Sequence, residues 1–262
     1  MPELRTDNVR LEVDEHIATI TLDRPEKHNA LTVSMRADIV DAIREYDDDQ
    51  TVNAIVVTGA GEEAFCAGAD LDAMIGDATG ETPKVNPGSH DLAFRHEIVE
   101  TPLLAAINGI CVGGGLEFVQ ATDIRVATES ASFGLPEPRQ GLAPIGGSTV
   151  RLPRQIPYCE AMRFLLTGET FSASHADEVG LINEVVPDGE VLARTYEIAE
   201  AFAETSPHAV ARIKESVART AGRPLEDAFR LESEIGRDVF AHPDATEGPA
   251  AFLEKREPDY RY

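Results

Sequence analysis

The sequence predicts an α/β protein whose sheets are covered by helices, followed by a purely helical C-terminal portion. Three observations carry this: short β-branched runs recur through the first two thirds, helical periodicity separates them, and only helical patterns remain beyond Pro187. Val9 to Val13 and Ile17 to Leu22 read as two strands joined by an Asp14-Glu15 turn, with Ala18, Ile20 and Leu22 alternating with Thr19 and Thr21. From Ser34 to Tyr46, Met35, Ile39, Val40 and Ile43 fall on one helical face. AIVVT (54–58) and LLAAI (103–107) are short buried strands, and IRVA (124–127) and LINEVV (181–186) are further β-like runs. This order gives β-β-α units. The stretch GDATGETPKVNPGSH (76–90) predicts a mobile surface loop. Helices are expected over Val191–Thr205, Pro207–Thr220 and Leu225–Phe240, with Ser206 as N-cap and Pro207 in the first helical position, and a last short one over Pro249–Arg256. The expected division is a body over 1–190 and a helical region over 191–262.

At 262 residues, 42% of them apolar, the chain can bury one large core. No apolar run approaches the roughly 20 residues needed to cross a bilayer. The start, MPELRTDNVRLEV, has neither the basic nor the apolar region of a secretion signal. Cys66, Cys111 and Cys159 are odd in number and form no C-x-x-C pair, which predicts a reduced, cytoplasmic compartment. With 47 acidic and 23 basic residues the formal net charge is -24, a field that repels nucleic acid and anionic lipid. Only Lys27, Lys84, Lys214 and Lys255 are lysines. The acids are spread along the chain (DEH, EYDDD, GEE) and form no tail. Such self-repulsion is tolerable where concentrated salt shortens its range, so a high-salt cytoplasm is expected; an ordinary acidic protein is the alternative.

Several segments could carry chemistry. GAGEEA (59–64) follows a strand and matches the G-x-G-x-x-A of dinucleotide-binding turns, but Glu62 and Glu63 would oppose a pyrophosphate and Gly68 interrupts the helix that should follow. ICVGGGLEFV (110–119) is more informative. A helix starting near Gly115 would carry unpaired N–H groups, and glycines let a ligand approach them, so the Gly114 amide is a candidate donor to a developing oxyanion. An ordinary glycine-rich turn fits the same residues. AFCAGADLDAM (64–74) could supply a second exposed amide or simply be a packed loop. Glu117 could favour its helix N-terminus, and Glu137, in FGLPEP, could sit in a solvated turn. Buried, either would need partners or a proton, and one neutral and one ionised carboxyl in one site run acid and base chemistry together. The scattered histidines and cysteines suggest no metal site.

In this order, ITLDRPEKHNAL (20–31), AFCAGADL (64–71), AAINGICVGGGLEF (105–118), DIRVATESASFGLPEPRQGLAP (123–144), LTGETFSASHADEVGLINEVVP (166–187) and EGPAAFLEKREP (247–258) resemble the enoyl-CoA hydratase/isomerase superfamily, the crotonases, over nearly the whole chain. The resemblance implies a crotonase-like spiral of repeated β-β-α units with a C-terminal α-helical trimerisation region, trimers being usually paired into hexamers. It implies that the amides of Ala69 and Gly114 form an oxyanion hole for the thioester oxygen of an acyl-CoA substrate. It also implies that Glu117, as base, and Glu137, as acid, hydrate a 2-enoyl-CoA to a 3-hydroxyacyl-CoA. Coenzyme A would lie along Ala67, Gly68, Asp70 and Leu71, with Arg24 and Lys27 as nearby cations and Phe252 and Lys255 added from the C-terminal segment. Coenzyme A belongs to the substrate; no separate cofactor and no metal is expected. The sequence departs from many hydratases at Asp72, where they carry lysine, and in the placing of Lys27 beside Glu26. An isomerase or a carnitinyl-CoA-type dehydratase fits the same fold. A non-enzymatic RNA-binding or scaffold member fits it too, though the acidity and the paired glutamates count against that.

Overall fold

A computed structural model describes residues 4–70, 91, 92, 94 and 97–260. The expected loop 76–90, Leu71 and Asp72 lie outside the described residues. The first sheet contains β1 (Val9–Asp14), β2 (Ile17–Leu22), β3 (Ala54–Gly59), β5 (Leu103–Ile107), β7 (Ile124–Thr128) and β10 (Glu184–Val186), side by side in that order. β1 and β2 are antiparallel, joined at Glu15, whose φ of 50° marks the turn; the remaining pairs are parallel.

Both faces of this sheet are covered, which is why β3 and β5 read as unbroken apolar runs. Ile55, Val57, Leu103 and Ala105 face α1 (Val33–Asp48), which contributes Met35, Ile39, Val40 and Ile43 to the main core. Ala54, Val56, Leu104 and Ala106 face the other way, where α6 (Val191–Glu200) brings Val191 and Ala199. Thr32 caps α1 by accepting the Met35 amide.

A second sheet contains β4 (Ala64–Cys66), β6 (Ile110–Val112), β8 (Ser132–Gly134) and β9 (Thr170–Ser172), in that order, with β4, β6 and β8 mutually parallel and β9 antiparallel to β8. Each is three residues long, too short to show an alternation, so none was legible as a strand. The short helices are α2 (Gly114–Val119), α3 (Ser148–Gln155), α4 (Tyr158–Thr167) and α5 (Ala173–Glu178).

Beyond α6 follow α7 (Pro207–Thr220), α8 (Leu225–Ala241) and α9 (Asp244–Glu254). Ser206 caps α7 by accepting the Ala209 amide, and Pro207 takes its first position. Three boundaries differ from expectation. The strand expected over 181–186 covers only Glu184–Val186. The helix expected to run to Thr205 ends at Glu200 and continues as a 3-10 turn, Ala201–Glu204. The last helix starts at Asp244, five residues before Pro249, which lies inside it, and ends at Glu254.

Candidate active site

The parallel strands β4, β6 and β8 deliver three chain segments to one edge of the second sheet. Parallel neighbours have their C-terminal ends on the same side, where the crevices of such sheets open. β4 runs through Ala67 and Gly68 to Ala69, β6 through Gly113 into α2, and β8 through Leu135 and Pro136 into the 3-10 turn Glu137–Gln140.

The first segment is stitched to residues 28–31. Ala67 N–H donates to the His28 carbonyl (2.9 Å), Leu31 N–H to the Gly68 carbonyl (2.7 Å) and Asp70 N–H to the Leu31 carbonyl (3.0 Å). Between these bonds the Ala69 amide finds no acceptor among the described residues. The Gly114 amide, first in α2, has none either, as expected for a helix N-terminus. The two amides are neighbours, since a Cβ on Gly114 would lie 3.7 Å from the Ala69 nitrogen.

Gly113 makes this approach practicable. Its φ of 54° lies in the left-handed region, and a Cβ there would stand 3.3 Å from Glu137 Oε1. Glu137 therefore borders the residue that opens α2, one turn before Glu117. Both carboxyls are partly buried, and both titrate above the ordinary carboxylate range. Glu117 is pushed up to about 7, by burial first and then by the charge of Glu137. Burial also raises Glu137, whose Oε2 is buried without a hydrogen-bond partner among the described residues. Two partly buried carboxyls beside two unpaired amides can move protons in both directions at a carbon chain whose oxygen is held by the amides.

Other expected site residues are placed as follows. Arg24 reaches the same segment, but its guanidinium is held by Asp70 (2.5 Å) and the Ala30 carbonyl (3.3 Å), so its charge is already matched. Lys27 is exposed at the end of the turn Pro25–Lys27. Phe252 and Lys255 lie at the far end of α9, which packs principally on α8; Phe252 is 83% exposed, and Lys255 ends the helix with φ 57°.

The residues holding Glu117 from behind were missed. α3 begins at Gly147-Ser148, and the Ser148 amide donates to Glu117 Oε1 at 3.4 Å. A Cβ on Gly146 would collide with Glu117 Oε2. The available signal was GGS ahead of a helical run, in APIGGSTVRL. Among the described residues no cluster of metal-ligating side chains exists and no helix is long and apolar enough to cross a membrane.

A family model described as enoyl-CoA hydratase/isomerase matches residues 12–262. An enoyl-CoA hydratase of Mycobacterium tuberculosis is 42% identical over 249 residues, covering 94% of this chain and 93% of its own. A carnitinyl-CoA dehydratase of Salmonella enteritidis is 36% identical, covering 98% and 99%. The crystal structure of an enoyl-CoA hydratase from Mycobacterium tuberculosis superposes with a TM-score of 0.90 at 34% identity, covering 98% of this chain and 99% of that one. The chain belongs to the enoyl-CoA hydratase/isomerase family.

Proposed function

We propose that the protein is a hydro-lyase that adds water reversibly to a 2-enoyl-CoA, giving a 3-hydroxyacyl-CoA. The observation that carries this is the facing of Glu117 and Glu137 beside two unpaired amides at one sheet edge. The thioester oxygen accepts the Ala69 and Gly114 amides. Each such donor is worth about 3 kcal/mol as charge moves onto oxygen. Glu117 takes a proton from water while the water oxygen bonds to the β-carbon. The π pair moves through the α-carbon to the thioester oxygen, and the enolate then takes a proton at the α-carbon from Glu137. The environments support these roles. The Ser148 amide favours ionised Glu117 and works against the burial and the Glu137 charge that push it up to about 7, whereas burial and an unpartnered Oε2 favour a protonated Glu137. Hydration leaves Glu117 protonated and Glu137 ionised; transfer of one proton from Glu117 to Glu137 through water restores the starting state, and elimination runs the same steps backwards.

Coenzyme A lies along residues 67–71, as part of the substrate and with no further cofactor. Its phosphates meet the cations Arg24 and Lys27 near that segment and Lys255, which with Phe252 is supplied by a neighbouring copy. Exposed apolar side chains of the C-terminal helices, including Ile213, Val217 and Phe229, support a trimer or a pair of trimers. The compartment is a salt-rich cytoplasm, which suits the charge of -24.

The decisive assay supplies 2-enoyl, 3-enoyl and 3-hydroxy thioesters in molar salt and identifies the products. Glu117→Gln and Glu137→Gln should each lower kcat for hydration by about 10²–10⁴-fold while leaving coenzyme A binding intact. Full activity in both variants would refute the reading. Full-length likeness to carnitinyl-CoA dehydratase favours a second reading, elimination from a carnitinyl thioester at the same two glutamates, which the product analysis separates.

A further inference from the structure

Behind Glu117 stands a further set of polar groups, of which the hydration scheme uses only the Ser148 amide. Ser148 is 0% exposed and Gln120 1%. Gln120 Nε2 donates to Ser148 Oγ at 2.7 Å and to the Leu116 carbonyl at 3.3 Å. A backbone carbonyl only accepts, so the Leu116 contact fixes which end of the Gln120 amide carries the protons. The hydroxyl of Ser148 is therefore met by a donor. No acceptor for its own proton other than Glu117 is found among the described residues, and its backbone N–H already points to Glu117 Oε1. Gln120 is itself clamped. The clamp is on its backbone: the Gln120 main-chain carbonyl accepts Gln155 Nε2 (2.9 Å) and Arg125 Nη2 (3.2 Å), Arg125 is buried with Nη1 on the Leu181 carbonyl (2.9 Å), and the side-chain Oε1 of Gln120 is buried without a partner among the described residues.

We infer that Ser148 is a positioning residue for Glu117, with Gln120 orienting its hydroxyl so that both Ser148 donors converge on that carboxylate. The inference rests on the reading of Glu117 as the base. A carboxylate met by two donors is held in one rotamer and favoured in its ionised form, against the burial that favours protonation. Glu137 is the titratable group near Glu117 on the site side, and whenever it is ionised it raises the proton affinity of Glu117 further. Arg125 lies behind Gln120 and acts on the layer through the Gln120 carbonyl. Ser148 thus lowers the pH at which the base becomes available, against the larger upward push of burial and Glu137, and Gln120 acts only through Ser148.

The test compares the wild type with Ser148→Ala, Gln120→Met and the double variant. Glu117 titration is followed by carbon NMR of glutamate-labelled protein, and kcat and KM are measured across pH. In Ser148→Ala the Glu117 midpoint should rise by about one pH unit, with kcat at neutral pH down about tenfold and KM within about twofold. The acid limb of the rate profile should move to higher pH by the same interval, because less base is ionised at a given pH. Gln120→Met should shift both in the same direction by less, and the double variant should be no worse than Ser148→Ala. An unmoved Glu117 midpoint in both single variants, or losses that multiply in the double variant, would overturn the inference. Should the wild type fail to hydrate while the midpoint still moves, the positioning role stands and the hydratase reading falls. A hydrating wild type with an immobile midpoint removes the positioning role alone.

Discussion

Glu117 and Glu137 lose solvent on folding and gain no cation among the described residues, so each holds its proton more tightly in the folded chain than in the unfolded one. The sign of the consequence follows. Between about 4.5 and about 7 the folded state binds more protons, so stability falls as pH rises through that window and levels off above it. Glu117→Gln removes this penalty. Above pH 7 the variant should be more stable than the wild type by about 1–3 kcal/mol, and near pH 4.5 the two should converge. Urea denaturation at several pH values reads this directly, and a variant less stable than wild type at pH 8 would contradict it. A residue that costs stability when charged, at the edge of a parallel sheet, has the balance expected of a functional group.

At the scale of elements, the site exists because three-residue strands lie parallel and release their chains at one edge. The following turns then set the geometry. Gly113 turns β6 into α2 through a left-handed backbone, and Gly146 lets the start of α3 close over Glu117. Gly146 lies outside the left-handed region, so an added Cβ costs only its collision with the carboxylate. Gly146→Ala should lower kcat about 10²-fold through the displaced base while changing KM little. Steady-state kinetics check this, and an unchanged kcat would show that Glu117 is not the base. The sequence made the long elements legible, since α1 repeats its apolar residues at helical spacing and β3 and β5 are apolar on both faces. It left β4, β6, β8 and β9 dark. The pairing of Glu117 with Glu137 could be reached only through family resemblance, because a spacing of twenty residues does not say which strands are neighbours. Ser148 and Gln120 escaped because their importance lies in a buried contact between α2 and α3 that neither segment announces alone.

At the scale of the whole molecule, a net charge of -24 opposes compaction, and much of the arginine is spent on local acids, as in Arg44 with Asp41 and Glu97 and in Arg194 with Glu184 and Glu197. Exposed pairs of this kind add little each, so the residual repulsion dominates at low salt. Raising potassium chloride from about 0.1 M to about 2 M, where the screening length falls below about 3 Å, should raise the thermal midpoint and lower KM for the anionic thioester. A midpoint that falls with salt would contradict the salt-rich compartment. The same whole-chain folding gathers residues 69, 114, 117 and 137 from three distant segments, and this gathering is the central claim. Its most direct test is a crystal structure with a non-reactive 3-oxoacyl-CoA bound. The expected result is a thioester oxygen about 3 Å from both the Ala69 and Gly114 nitrogens, with Glu117 facing the β-carbon and Glu137 the α-carbon. A thioester oxygen seated away from those amides, or carboxyls facing neither carbon, would contradict it.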